Sequence, residues 1–122
     1  MDAQAPLVAI LEDDPSAAEA LAMILRDWGA QVVQAAALEA LVAELGPRLR
    51  EVGYIITDFH LGDGPDGVSL VLTLASAAPH ARVLVLSGSF HGRASAAAAK
   101  AGFDVMQKPA RAEAIVAWLE RR

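Results

Sequence analysis

Five short apolar segments alternate with five stretches of helical spacing along this chain, and that alternation constrains the fold more than any other feature. The segments are rich in Val, Ile and Leu without regular polar alternation, which indicates strands covered on both faces. The predicted strands are residues 7–12, 32–35, 54–58, 83–87 and 105–108. Because each strand is followed by a helix, the pattern predicts an α/β fold with a parallel sheet and helices on both of its faces.

The predicted helices carry their large apolar residues on one face and have recognisable ends. They are residues 17–28, 38–45, 68–77, 93–101 and 112–121. Asp14 and Pro15 suit the start of the first helix, and Gly29 suits its end. Since no internal repeat or linker interrupts the pattern, we expect residues 1–122 to form a single domain without an output domain.

The composition excludes several classes of protein. The 122 residues are 55% hydrophobic, carry a formal net charge of −5 and include no cysteine, which excludes a disordered chain, a disulfide scaffold and a thiolate metal site. No apolar run reaches the roughly 18 residues of a membrane span, and the first residues do not resemble a signal peptide. The acidic balance gives no support for direct binding of nucleic acid. We therefore expect a cytoplasmic protein that contacts neither membranes nor nucleic acid.

Polar side chains follow four of the five predicted strands. Ligands of parallel α/β sheets bind beyond the carboxyl ends of the strands, so residues at these positions are expected to meet. The strands deliver the following side chains in chain order: Glu12, Asp13 and Asp14 after the first, Asp58 after the third, Ser87 and Ser89 after the fourth, and Lys108 after the fifth. The second strand ends in alanines, as expected for a strand at the edge of the sheet.

Each of these residues also has a plain structural interpretation. Asp14 is equally well explained as the cap of the first helix, and Asp58 as a turn residue. Ser87 suits a bond to its own backbone, and Lys108 a solvated strand end. Their common placement favours a shared site, because the fold determines that placement and the choice of residues does not.

The carboxylates suggest a chemistry for this edge of the sheet. Glu12, Asp13 and Asp58 would repel one another and raise one another's pKa, and a divalent cation removes that repulsion. An all-oxygen site of this kind suits Mg²⁺. A carboxylate beside Mg²⁺ can accept a phosphoryl group, and the Lys108 ammonium and the Ser87 hydroxyl would then hold the new phosphoryl oxygens.

In this order and spacing, these residues resemble the receiver domain of two-component response regulators along essentially the whole chain. The resemblance implies a flavodoxin-like, doubly wound sheet of strand order 2-1-3-4-5. It implies that Asp58 accepts a phosphoryl group from a sensor histidine kinase or a phosphotransfer protein. It also implies Mg²⁺ bound directly by Asp13, by Asp58 and by the backbone carbonyl of His60, with Glu12 acting through a metal-bound water.

The resemblance assigns further roles around the acceptor. Ser87 corresponds to the family's Ser or Thr that moves toward the phosphoryl group, and Lys108 to its invariant lysine, whose peptide bond to Pro109 is commonly cis. His60 and Ser89 occupy positions that flank the phosphoryl group and would tune its lifetime. Receivers are signalling domains, which catalyse only their own phosphorylation and dephosphorylation.

Three positions depart from the usual receiver pattern. Gly62 stands where proline is common, and Gly88 where alanine is usual, which loosens the loop that follows Ser87. Val105 stands where the family carries the Tyr or Phe that moves inward on activation, and Phe103 lies two residues earlier on the same face. Phosphorylation could still draw Ser87 and the loop 88–92 toward the site. The alternative is a receiver-like interaction module that does not switch.

A further alternative is a phosphatase with an aspartyl nucleophile. It is disfavoured, because this chain has His60 where that class carries a second Asp.

The family resemblance also indicates an output surface. In receivers the fourth helix, fifth strand and fifth helix contact a downstream partner or a second copy, and here residues 96–99 of the fourth helix are all alanine. We place Trp118 off the stripe of Ile115 and Leu119, where it would be a partly exposed contact or would cover its own helix.

Overall fold

The computed structural model describes residues 5–59, 67–88 and 92–121. Within them five strands alternate with five α-helices. The strands are β1 (Leu7–Leu11), β2 (Gln31–Ala35), β3 (Tyr54–Asp58), β4 (Arg82–Ser87) and β5 (Asp104–Gln107). The helices are α1 (Pro15–Trp28), α2 (Leu38–Leu45), α3 (Gly67–Ala77), α4 (Gly92–Ala101) and α5 (Ala112–Glu120). In this part of the chain, no helix is long and apolar enough to cross a membrane.

Every predicted strand and helix is present, with ends shifted by at most two residues. One element is additional: a 3₁₀ helix, Gly46–Glu51, continues directly from α2. A Gly-Pro pair is typical of a helix stop, and Gly46 does end α2. Proline is tolerated in the first turn of a helix, so the same pair ends α2 and begins the 3₁₀ turn.

The sheet is parallel throughout and has the strand order β2-β1-β3-β4-β5. This confirms the flavodoxin-like, doubly wound fold, with β2 at an edge as predicted. The register pairs Leu11 with Thr57, Asp58 with Leu86, and Ser87 with Gln107. The carboxyl ends of four adjacent strands therefore lie along one rim of the sheet.

Helices cover both faces of the sheet, and each face has its own apolar core. Successive residues of a strand point to opposite faces, so Ala9 and Leu11 of β1 pack toward α2, α3 and α4, while Val8 and Ile10 pack toward α1 and α5. Since the three central strands β1, β3 and β4 are buried on both faces, the continuous apolar runs seen in the sequence are what this fold requires.

The first helix begins beside the rim of the sheet. The Asp14 carboxylate accepts a hydrogen bond from the Ser16 amide at 3.0 Å, and Pro15 occupies the first turn. Gly29 ends the helix in the left-handed region at φ 115°, where a residue with a side chain would be strained. The structural interpretation of Asp14 as a helix cap is therefore confirmed, and this cap fixes the loop that carries Asp13.

Trp118 is buried, with 3% of its surface exposed, so the prediction of a partly exposed contact residue was wrong. Positions 115, 118 and 119 follow helical spacing and share one face, which places the Trp118 ring in the core with Ile115 and Leu119. The ring packs edge-on against Tyr54, and its N–H donates to an Asp104 carboxylate oxygen at 2.7 Å. Trp118 is therefore part of the packing between α5 and the sheet.

Candidate functional site

The carboxyl ends of four strands bring five predicted site residues to one rim. Glu12 and Asp13 follow β1, Asp58 ends β3, Ser87 ends β4, and Lys108 follows β5. Glu12, Asp58 and Ser87 are buried, Lys108 is half-buried and Asp13 is exposed. The strand topology thus assembles residues that lie up to 96 positions apart in the sequence, as the fold prediction required.

Three carboxylates form a cluster that can hold a metal ion. One oxygen from each of Glu12, Asp13 and Asp58 lies within 4.8 Å of the other two. Like charges at this separation repel strongly where two of the groups are buried. Oxygen-only donors suit hard divalent cations such as Mg²⁺ or Ca²⁺, so the donor set fits the metal that the family resemblance implies.

Glu12 is the group in this cluster whose protonation the protein alters most clearly. Burial raises the pKa of Glu12 above its ordinary value of 4.5. A hydrogen bond from the Asp14 amide to Glu12 Oε2, at 3.1 Å, opposes this effect and lowers the pKa. The negative charges of Asp58 and Asp13 raise the pKa further, and the positive charge of Lys108 lowers it. The raised pKa means that ionised Glu12 is destabilised in the folded protein and would be stabilised by a cation.

Lys108 supplies positive charge to the same cluster. Its Nζ atom lies 2.8 Å from Asp58 Oδ1 and 3.9 Å from Glu12 Oε1. The peptide bond from Lys108 to Pro109 is cis, as the family resemblance implies. The ammonium group is therefore in direct contact with the carboxylate that is predicted to accept the phosphoryl group.

Backbone hydrogen bonds connect the strand ends that carry the site. The Phe59 amide donates to the Leu86 carbonyl at 2.9 Å, and the Lys108 amide donates to the Ser87 carbonyl at 2.8 Å. The parallel ladder therefore continues past β3 and β5. It places the buried Ser87 side chain on the strand between those that carry Asp58 and Lys108.

Two predicted site residues, His60 and Ser89, lie outside the described residues, as does Gly62. The metal-binding role of the His60 carbonyl and the tuning roles of His60 and Ser89 therefore stay predictions. Gly88 is described and exposed. A Cβ atom added to it would meet nothing within 4 Å, and its φ is not in the left-handed region.

Val105 pairs with Val85 and packs against the core between the sheet and α4. Phe103 packs against the same core, which confirms the shared face of the two residues. An aliphatic side chain therefore occupies the position where the family carries its mobile aromatic ring.

Sequence reasoning missed two features near the strand ends. The Asp14 amide donates a hydrogen bond to the Glu12 carboxylate, and no pattern of side chains in a sequence reveals a backbone donor. At the opposite end of the sheet, Asp104 contacts Arg82 and Trp118. Arg82 and Asp104 begin the neighbouring strands β4 and β5, so the predicted strand order already places them side by side at the amino ends of the strands.

Several solved structures of response regulators have the same fold. A regulator from Burkholderia pseudomallei, crystallised with a phosphorylated aspartic acid, a calcium ion and citrate, is 31% identical with a TM-score of 0.82, over 94% of this chain. This chain spans 66% of that regulator's length. A response regulator of Chloroflexus aurantiacus J-10-fl is 26% identical with a TM-score of 0.81, over 96% of each chain. Chemotaxis protein CheY4 of Vibrio cholerae, at 20% identity, shares the fold with a TM-score of 0.83, over 97% of this chain and 98% of its own.

Among curated proteins, none matches this sequence. The family model described as the response regulator receiver domain matches residues 8–120, which include every residue of the acidic cluster together with Ser87 and Lys108. The order of the strands, the cluster at their carboxyl ends and this match agree. The chain therefore belongs to the family of response regulator receiver domains.

Proposed function

We propose that this chain is a Mg²⁺-dependent phospho-acceptor that takes a phosphoryl group onto Asp58. The donor would be the phosphohistidine of a sensor histidine kinase or a phosphotransfer protein in the cytoplasm, and the signal would pass on by protein contact. The observation that carries the proposal is the position of Asp58. It is the one carboxylate of the cluster in hydrogen-bond contact with Lys108, at 2.8 Å, and it ends the central strand of the sheet.

Asp13 and Asp58 would hold the metal directly, and Glu12 would act through a bound water. We assign the remaining protein ligand to the His60 carbonyl, from the family resemblance alone. Mg²⁺ in this position would neutralise the carboxylates and the phosphoryl oxygens as they approach one another. The calcium ion in the Burkholderia pseudomallei regulator supports a divalent cation, since that protein also carries a phosphorylated aspartic acid.

In the proposed transfer, one oxygen of the Asp58 carboxylate attacks the phosphorus atom. An O–P bond forms while the bond from phosphorus to the donor imidazole nitrogen breaks, and the electron pair stays with that nitrogen. Lys108 already donates to Asp58 Oδ1 and would shift its ammonium group to a phosphoryl oxygen. The Ser87 hydroxyl would hold another. Water later hydrolyses the acyl phosphate, so the domain catalyses only its own phosphorylation and dephosphorylation.

The output would be a contact made by α4, β5 and α5, with a downstream protein or with a second copy of the chain. Trp118 takes no part in that surface, because it is buried against the sheet. The alternative, a module that binds its partner without switching, is favoured by one observation. Val105 is aliphatic and packed in the core, so the ring movement of other receivers has no counterpart at this position. Equal partner affinity with and without beryllofluoride, a stand-in for the phosphoryl group, would support the static module.

The proposal is tested by incubating the protein with Mg²⁺ and acetyl phosphate and measuring its intact mass. We expect one added phosphoryl group on the wild type and none on Asp58→Asn. Asp13→Asn serves as a matched control, since it removes a metal ligand and should slow the reaction while leaving the acceptor in place. Absence of the adduct from the wild type, or its persistence in Asp58→Asn, would overturn the proposal.

A further inference from the structure

The end of the sheet opposite Asp58 carries a second polar cluster, centred on the first residue of β5. Asp104 Oδ2 accepts a hydrogen bond from Trp118 Nε1 at 2.7 Å. The same oxygen lies 3.3 Å from Arg121 Nη2 and 3.7 Å from Arg82 Nη2. One carboxylate oxygen therefore connects the start of β5 to the last turn of α5 and to the start of β4.

The first residues of β3 and β4 hold the same turn of α5. Arg82 Nη1 donates to the Trp118 carbonyl at 2.9 Å and to the Arg121 carbonyl at 2.8 Å, while the Tyr54 hydroxyl donates to the Leu119 carbonyl at 3.0 Å. These are carbonyls at the end of a helix, which lack or share their intrahelical partners. The Arg82 guanidinium also lies over the Trp118 ring, 4.6 Å from its centroid. We call Tyr54, Arg82, Asp104 and Trp118 the clamp.

The clamp residues share a position in the fold with the residues of the phospho-acceptor site. Tyr54 begins the strand that Asp58 ends, Arg82 begins the strand that Ser87 ends, and Asp104 begins the strand that Lys108 follows. Each of the three strands therefore carries a clamp residue at one end and a site residue at the other.

Among these strands, β5 depends most on such an anchor. It has four residues, lies at the edge of the sheet and, among the residues that the structure describes, pairs only with β4. Its side chains are only partly buried, whereas those of β1 are buried throughout. An edge strand held by one ladder opens more readily than a central one, and Lys108 follows its last residue. The place of the Lys108 ammonium therefore depends on what fixes β5 at its other end.

We propose that Asp104 and Trp118 are positioning residues for Lys108: their hydrogen bond fixes the start of β5 against α5 and so sets where the Lys108 ammonium meets Asp58 and an incoming phosphoryl group. The inference rests on the proposed role of Lys108 in holding phosphoryl oxygens. It assigns a function in phosphorylation to residues at the far end of the sheet, none of which contacts the reacting groups.

Because different strands carry the carboxylates and Lys108, an effect of the clamp on Lys108 can be distinguished from a general loosening of the fold. The carboxylates of the acidic cluster follow β1 or end β3, while Lys108 follows β5. A loosened clamp should therefore impair binding of the phosphoryl group and leave Mg²⁺ binding intact. Because the positive charge of Lys108 opposes a cation at Asp58, its displacement would leave the Mg²⁺ affinity equal or higher.

Two clamp variants and one control test the inference. Trp118→Phe keeps an aromatic ring but removes the N–H donor, and Asp104→Asn keeps an acceptor oxygen but removes the charge that faces Arg82 and Arg121. The control is Trp28→Phe, which removes the 3.1 Å hydrogen bond from Trp28 Nε1 to Glu120 at the same end of α5 without touching β5. For each protein we would measure the phosphorylation rate with acetyl phosphate, beryllofluoride affinity and Mg²⁺ affinity by calorimetry.

We expect Trp118→Phe to lower the phosphorylation rate and the beryllofluoride affinity about tenfold, because small misplacements of a catalytic group have effects of at least this size. Asp104→Asn should show a smaller loss, Trp28→Phe should match the wild type, and Mg²⁺ affinity should not fall in any variant. If Trp118→Phe does not fold, the test relies on Asp104→Asn, because the Asp104 side chain is more exposed than that of Trp118.

Wild-type phosphorylation by both clamp variants would overturn the inference and leave the proposed function standing. A parallel loss of Mg²⁺ affinity would also overturn it, since that result means general loosening of the domain. Failure of the wild type itself to become phosphorylated would instead remove the proposed function on which the inference rests.

Discussion

The two ends of the parallel sheet differ in how their charges are balanced. At the carboxyl ends, Glu12, Asp13 and Asp58 crowd together, and among the described residues Lys108 alone forms ion pairs within the cluster, with Glu12 and Asp58. At the amino ends, the Asp104 carboxylate faces two guanidinium groups and an indole N–H. The first end holds excess negative charge that a cation would relieve, whereas at the second end the carboxylate is already paired with cationic groups of the protein.

The two ends of the sheet are therefore suited to different tasks: one to binding a ligand, the other to stabilising the fold. Excess charge held together by a fold is destabilising until a ligand arrives, and it therefore marks a binding site. Satisfied charge at the other end stabilises the packing of α5 against the sheet. We therefore expect substitutions at the two ends of the sheet to have opposite effects on stability.

Lys108→Ala should cause the largest change. Loss of the ammonium that would stabilise the phosphoryl oxygens should lower the rate of phosphorylation by acetyl phosphate about 100-fold, without weakening Mg²⁺ binding. The rate is followed by intact mass over time, and the matched control is Lys100→Ala, at an exposed lysine of α4. A rate equal to that of the control would remove Lys108 from the mechanism.

Arg82→Ala should destabilise the fold while leaving the metal site unchanged. The substitution removes two hydrogen bonds to α5 carbonyls and the contact with the Trp118 ring, so we expect a loss of about 2 kcal/mol in the free energy of unfolding. Urea denaturation measures it. Arg26→Ala is the control, because the exposed pair of Arg26 with Glu19 should contribute less than about 1 kcal/mol. Equal losses in the free energy of unfolding for the two substitutions would show that the clamp does not stabilise the fold.

Glu12→Gln should act in the opposite direction and stabilise the metal-free protein. Because burial raises the pKa of Glu12, the folded protein binds its proton more tightly than the unfolded chain, and stability is lost as pH rises above the ordinary value of 4.5. Removing the charge should recover on the order of 1 kcal/mol at neutral pH.

The pH dependence of this effect follows from the same sign. Below pH 4.5 Glu12 is protonated in both states, so the advantage of Glu12→Gln should disappear. Urea midpoints of the two proteins in EDTA at neutral and acidic pH make the comparison. A lower midpoint for Glu12→Gln at neutral pH would show that the carboxylate end is already balanced without a metal.

Gly88→Ala should have the smallest effect. The position has room for a Cβ and does not need the left-handed region, so alanine should stabilise the protein by about 0.5 kcal/mol by restricting the unfolded chain. Gly102→Ala is the control and should destabilise, since Gly102 has φ +80°. Thermal unfolding would compare both with the wild type; stabilisation by both substitutions would contradict the conformational argument.

The sequence predicted the fold and the rim of the site because both depend on regular patterns. The three central strands of this sheet are buried on both faces, so their apolar runs are unambiguous. The residues that follow Leu11, Thr57 and Leu86 meet because parallel strands end at the same rim of the sheet. Chain order was therefore enough to place Glu12, Asp58 and Ser87 together.

Features that depend on packing between distant elements were not predicted. Trp118 was placed off the stripe of Ile115 and Leu119, as a partly exposed contact or a cover for its own helix. Its spacing from Ile115 permits burial, and its contacts with Tyr54 and Asp104 explain why it lies in the core. No sequence motif marks the clamp, because three of its members are ordinary strand starts and Trp118 lies on the apolar face of α5. Tyr54 and Arg82 bind backbone carbonyls at the end of α5, which no side-chain motif records.

The central claim is that the unbalanced end of the sheet accepts a phosphoryl group at one particular carboxylate. Borohydride reduces an aspartyl phosphate to homoserine, so treating the phosphorylated protein and sequencing its peptides identifies the acceptor directly. We expect homoserine at position 58 in the presence of Mg²⁺ and acetyl phosphate, and unmodified aspartate there when EDTA replaces the metal. Homoserine at position 13, or at no position, would contradict the account.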